Sequence, residues 1–184
     1  ISTLEKMKKK SKLFLNIFIR YFILIIVAIP NLWLFYKIFT PLTIYPTYFL
    51  LNIFFDISLK GIVITFPNNI FIEIIEACVA GSAYYLLFIL NLSIPNINLP
   101  KRFKLLFISF VSLLIVNIIR IVFLSVVFVT GASWFDIAHK IFWYIGSIIF
   151  VLVIWFLEVK YYKIKEIPFY SDLKFIYKNS KFKK

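Results

Sequence analysis

One cysteine, one histidine and four glycines are all that the 184 residues hold of these three types. A single Cys excludes an internal disulfide, a CxxC pair and any multi-cysteine metal site. A lone His removes the His-cluster metal sites. Gly61, Gly81, Gly131 and Gly146 are too scattered to build a glycine-rich phosphate loop, so neither a cofactor nor a metal is expected. Acids are scarce as well: 8 Asp and Glu stand against 21 Lys and Arg, for a formal charge of +13.

What the chain has in abundance is apolar surface. Hydrophobic residues make up 62% of it, and the mean hydropathy is +0.96. Soluble domains lie nearer half apolar, and long apolar runs with few charges read as transmembrane helices. The expected fold is an all-α integral membrane protein. It would be a small polytopic bundle of about four to six transmembrane helices with an outer-face cap, at about 20 residues per span. The basic residues cluster at Lys6–Lys12, at Lys101–Lys104 and from Lys160 onward. Those clusters flank the apolar runs, as topology signals do, so the charge argues for orientation in a membrane and against nucleic-acid binding. The richness in Ile, Phe, Lys, Asn and Tyr also fits an AT-rich genome and carries no function by itself.

Four spans are expected, at 13–36, 75–94, 105–130 and 137–159. Pro30 would kink or end the first. The segment 37–74 contains Pro41, Pro46 and Pro67 and few basic residues, and reads as an outer-face cap. A short interfacial or extra helix is expected at 48–58, and the Pro67-Asn68-Asn69 turn signal suggests a hairpin. The tail 160–184 is basic. The charge pattern puts both termini in the cytoplasm of a multi-pass plasma-membrane protein. The first apolar run is long and lacks a small-residue cleavage site, so no cleavable signal peptide is expected. The chain opens on Ile1, and the true start is expected upstream.

Polar groups inside spans are expensive, about 2.5–3.5 kcal/mol for an Arg at a helix centre, so each needs a reason. Arg120 lies inside the third span. Cys78 opens the second and His139 opens the fourth, both at outer ends. Arg120 precedes Thr130 by ten residues, about 15 Å of helix, and its long side chain reaches upward. Three separated residues therefore approach one membrane level. A cation and a helix N-terminus favour a thiolate, the nucleophilic form of Cys78. Arg120 is placed to stabilise that thiolate or an oxyanion, and His139 to take the thiol proton and return it to a leaving amine. Asn117 shares a helix face with Arg120, and Asp136 with His139, so each is a candidate to orient its neighbour. Ser82, four residues after Cys78, is a candidate for the same pocket. Glu73 and Glu76 offer a competing structural role, as partners of Arg120.

At these residues the chain resembles the exosortase/archaeosortase family of membrane transpeptidases. That family carries E-x-C-[ST]-G, then N-x-x-R, then a His or Arg, on three successive helices. The matching stretches are Glu76-Ala77-Cys78-Val79-Ala80-Gly81, Asn117-Ile118-Ile119-Arg120, and His139. The resemblance covers roughly residues 61–159 and is greatest to small archaeal members. It departs at Val79-Ala80, where the family has one small hydroxyl residue, so the glycine arrives one position late. The resemblance implies Cys78 as nucleophile, Arg120 as stabiliser and His139 as general acid/base, with the active site at the outer face. It also implies a thiol protease, or transpeptidase, that acts in protein sorting. Such an enzyme cleaves C-terminal sorting signals (a motif, a transmembrane helix, a basic tail) of surface-protein substrates through a thioester. It then passes the new C-terminus to an acceptor, a membrane lipid by the same resemblance.

Two other classes compete with it. A non-enzymatic assembly or scaffold protein would hold Arg120 in a structural Arg–Glu network. A small transporter would show broken-helix repeats, and none is visible.

Overall fold

The structure is a computed structural model that describes residues 3–179. Helix α1 spans Thr3–Ala28 and α2 spans Trp33–Asn52. A small sheet follows, with strands β1 Ser58–Lys60, β2 Val63–Phe66 and β3 Ile70–Glu73. Then come α3 Glu76–Val79, α4 Gly81–Leu92 and α5 Leu99–Val129. Helix α6 Phe135–Ile141 passes through a π-helical turn, Phe142–Gly146, into α7 Ser147–Tyr161. Helix α8, Tyr170–Asn179, lies in the basic tail, whose end at 180–184 falls outside the described residues.

Three helical stretches are long and apolar enough to cross a membrane: Lys10–Ala28, Leu99–Val129 and Phe135–Tyr161. Glu76–Leu92 is apolar but shorter. The chain is mostly helical, as expected, but it is not all-α: residues 58–73 form a three-stranded antiparallel meander in the order β1-β2-β3, with the expected hairpin turn at Pro67–Asn69 between β2 and β3. Gly61 makes its first turn possible, at φ +64, where a side chain is strained. Ile64 and Phe66 turn inward, and Phe66 meets Phe55 edge-on.

The expected first span, 13–36, is two helices. Helix α1 stops before Pro30, and Asn31 and Leu32 take positive φ values of 48° and 59°. Trp33–Tyr36 belong to α2, which absorbs Pro41 and Pro46 and runs on to Asn52. The proposed separate helix at 48–58 is the end of α2 and the turn after it. Helices α1 and α2 still climb past α4 in register. Arg20 reaches the carbonyl of Leu92 at 3.4 Å, Tyr85 donates to the carbonyl of Leu24 at 3.0 Å, and Tyr36 lies against Gly81.

Between α2, α4 and α5 the packing is aromatic. Phe39 stacks on Tyr84 with ring centroids 3.6 Å apart, and Phe110 meets both rings edge-on. Face and edge contacts of this kind add roughly 0.5–1.5 kcal/mol each beyond area burial. At one end of the bundle Ser109 and Asn91 donate to Glu158 across α5, α4 and α7.

Helix α5 begins earlier than expected, so Lys101, Arg102 and Lys104 are helical rather than loop residues. Arg102 is buried. It donates to the carbonyls of Asn91 at 2.8 Å, Leu92 at 2.6 Å and Ile94 at 2.8 Å. Those carbonyls end α4 and lack intrahelical donors, so a cation there satisfies hydrogen bonding and the helix dipole together. Replacing Arg102 with Met should lower stability by about 2–4 kcal/mol, since buried acceptors are left unpaired. Arg102→Lys should recover only part, having lost the planar fork. Thermal unfolding in detergent measures both.

Candidate functional site

Cys78 sits where the second expected span breaks. The run 75–94 is not one helix: Ala80 takes φ 62°, ψ 41°, the left-handed region, and separates the one-turn α3 from α4. An alanine there costs roughly 1–2 kcal/mol. Two corrections follow. The helix N-terminus near Cys78 is that of α4, whose first N–H groups, from Gly81 and Ser82, have no intrahelical partner. And Ser82 does not share a continuous helix face with Cys78, although it lines the same cavity. Gly81 is required by close approach: a Cβ there would lie 2.6 Å from the Tyr36 ring.

Helix α5 holds this break in place. Asn117 donates to the carbonyl of Cys78 at 2.9 Å and to that of Val79 at 3.4 Å. Arg120 donates from Nη2 to the Cys78 carbonyl at 3.2 Å and from Nη1 to Ser147 Oγ at 2.9 Å. Asn117 therefore orients the Cys78 backbone rather than Arg120. Two of the five guanidinium N–H groups are engaged, which leaves three. Arg120 is only 9% exposed. The competing Arg–Glu network is not formed: no salt bridge joins Arg120 to Glu73 or Glu76. An ion pair does join Arg20 to Asp172, at 2.8 Å.

Cys78, Arg120, His139, Glu76 and Ser82 line one cavity of about 1020 Å³, together with Tyr36 and Ser147. That volume lies at the upper end of ordinary ligand pockets and admits several residues of extended peptide. Strand β3 contributes Phe71, Ile72 and Glu73 to the wall, so the small sheet leads directly into the Cys78 segment. His139 is half-buried, stacked on Phe135 at 5.5 Å and set edge-on to Trp143 at 5.8 Å. Asp136 is not brought to the cavity. It is exposed in the first turn of α6 and makes no hydrogen bond to His139.

Ser147 escaped the sequence reading, and the π turn explains why. Residues eight apart on an α-helix are offset by about 80°, which would put Ser147 and His139 on different faces. A π-bulge inserts one residue, removing about 100° and leaving them within about 20° of each other. The five-residue turn Phe142–Gly146 lies between the two. No sequence periodicity announces it.

No group of three or more His, Cys, Asp or Glu that could hold a metal occurs among the described residues. Comparison with family models, with curated proteins and with solved structures finds no match to this chain in any of the three.

Proposed function

We propose that this chain is a membrane-embedded cysteine protease/transpeptidase that cleaves C-terminal sorting signals and transfers the new C-terminus to an acceptor, a membrane lipid. The observation that carries the reading is the convergence of Cys78, Arg120 and His139 on one cavity, with Arg120 unpaired by any carboxylate. A guanidinium buried at that price, with three donors unused, is matched to a negative charge that exists only during reaction.

The Cys78 sulfur attacks the scissile carbonyl carbon, and a C–S bond forms. The carbonyl oxygen becomes an oxyanion, facing the free N–H groups of Arg120 and the N-terminus of α4. His139 takes the thiol proton and passes it to the leaving amine as the C–N bond breaks, leaving a thioester on Cys78. The acceptor hydroxyl or amine then attacks the thioester, gives its proton to His139, and the proton returns to the sulfur. Asn117 and Ser147 position the Cys78 segment and Arg120.

Two arginines of α5 support an orientation. Arg102 and Arg120 are eighteen residues apart on it, about 27 Å, so the basic end and the cavity lie at opposite ends of the bundle. Positive charge marks the cytoplasmic side, which supports a cavity and sheet cap at the outer face. Four crossings result: α1 with α2, α3 with α4, α5, and α6 with α7. A motif followed by an apolar helix would pack against this bundle with its peptide in the cavity.

Cys78→Ala should abolish processing of a reporter carrying such a signal while the protein still inserts. Unchanged processing by this variant would sink the enzymatic reading. Arg120→Lys should lower the rate by about 10²–10³-fold, and His139→Ala by about 10²–10⁴-fold. Hydroxylamine should release the acyl chain from the wild-type enzyme as a hydroxamate.

Ser147→Ala should reduce the rate about tenfold, as loss of one hydrogen bond to a charged group predicts. Deleting Ile145 would convert the π turn to regular α-helix and leave His139 and Ser147 seven residues apart, still within about 20° of each other. Processing should therefore fall less than with Ser147→Ala. Inserting one alanine after Ile145 would turn Ser147 away by about 100° and should lower the rate at least as much as Ser147→Ala; wild-type activity in the insertion would mean that the facing of Ser147 has no bearing on the site.

A further inference from the structure

We propose that a second cavity, at the opposite end of the bundle, binds the headgroup of an acidic phospholipid. This cavity of about 830 Å³ lies between α1, α8 and the connection from α4 to α5. It is separate from the Cys78 cavity, with which it shares no lining residue. Its position in the inner leaflet rests on the topology proposed above; its chemistry does not.

The walls are fixed by internal partners. Arg20 holds Asp172 through two hydrogen bonds, at 2.8 and 2.9 Å, which ties α8 to α1. Tyr21 adds a third at 3.2 Å, and Phe14 packs on Phe175. Arg102 is committed to the carbonyls that end α4. The remaining charges on the lining are Lys165, Lys174 and Lys178 against Glu166 alone. None of the three lysines has a carboxylate partner among the described residues, and all three are exposed. Asn96, Asn98 and Ser171 add hydrogen-bonding groups beside them.

The same cavity has an apolar side. Leu13, Ile19 and Ile23 of α1 line it, and Ile19 and Ile23 are 44% and 38% exposed. Little of α1 is covered by protein: 11% of its apolar stretch is buried. A free phosphate would satisfy the lysines and leave that apolar wall in contact with water. A phospholipid satisfies both, with phosphate oxygens on the lysines and acyl chains along Ile19 and Ile23. A basic pocket beside membrane helices on the cytoplasmic side matches this ligand class.

The test uses the full chain purified in detergent, with native mass spectrometry and thermal unfolding on titration with phosphatidylglycerol. Phosphatidylcholine and inorganic phosphate serve as comparison ligands. Phosphatidylglycerol should be retained and should raise the unfolding temperature, while the other two do neither. Lys→Gln at Lys165, Lys174 and Lys178 should weaken binding roughly fivefold per lysine. Lys→Arg at all three should preserve it, which shows that a loss in the Gln variant is not misfolding. The pair Lys101→Gln and Lys104→Gln, basic positions outside the cavity, should have little effect. Equal binding by the triple Gln variant would overturn the site. So would an equal loss per lysine in the Lys101/Lys104 variant, which would mean diffuse surface attraction. Stabilisation by phosphate alone matching that of the lipid would overturn the lipid assignment.

Discussion

The carbonyl oxygen of Cys78 is the point on which the site depends. It accepts from Asn117 at 2.9 Å and from Arg120 at 3.2 Å, both on one face of α5. A one-turn helix cannot sustain itself, since nucleation is unfavourable and the hydrogen bonds gained are few. Segment α3 persists because α5 supplies donors to the carbonyls at its end. The arginine thus has two structural partners and three idle donors at the same place. Its backbone bond fixes its distance from the Cys78 segment, and Ser147 fixes its rotation. Electrostatic stabilisation depends on such fixation, because a guanidinium that must reorganise during reaction loses much of its advantage.

Helix α5 does this at two points. Near its start Arg102 closes the last carbonyls of α4, and near its middle Asn117 and Arg120 hold the segment that precedes α4. The stretch from Cys78 to Ile94 is therefore clamped fore and aft by a single rigid element of 31 residues. Around that strut the irregular backbone gathers at one level: the left-handed Ala80 on one side and the π turn on the other. Irregular backbone at membrane depth is tolerated where protein covers it or where it lines a cavity. Both irregularities flank the same cavity, where each re-aims a polar group. The break at Ala80 presents fresh N–H groups beside Cys78, and the π turn returns Ser147 to the face of His139.

Much of this was legible in the sequence, for identifiable reasons. Apolar runs and the placement of Lys and Arg were enough to bring Cys78, Arg120 and His139 to one level, because helix rise and charge asymmetry are robust quantities. What failed was register and local breaks. Ala80 carries no signal for a left-handed conformation, unlike a glycine or asparagine. The Pro67-Asn68-Asn69 turn announced the β2–β3 hairpin, whereas the addition of β1 to make a three-stranded sheet was hidden by poor alternation. Arg102 looked like one more loop cation because its value lies in three carbonyls that only the folded chain collects. Ser147 was invisible for the geometric reason that one inserted residue turns a helix face by about 100°. The proposed partnership of Asp136 with His139 assumed that helical spacing implies contact, and the exposed first turn of α6 does not provide it.

The distribution of acid favours the proposed chemical reading of Arg120 over the structural one. Eight carboxylates serve the whole chain. One neutralises Arg20 and another takes the Ser109 and Asn91 hydrogen bonds. Glu73 and Glu76 stand on the wall of the Cys78 cavity, on exposed positions close in sequence to the thiol, and still do not pair with Arg120. The structural Arg102 also lacks a carboxylate, but it makes three hydrogen bonds to backbone carbonyls, against two hydrogen bonds for Arg120. The chain gives Arg120 a hydroxyl and a carbonyl, both neutral, and keeps its positive charge uncancelled beside the thiol. That arrangement makes physical sense where an anion forms transiently at the same point, which is what attack by a sulfur on a carbonyl requires.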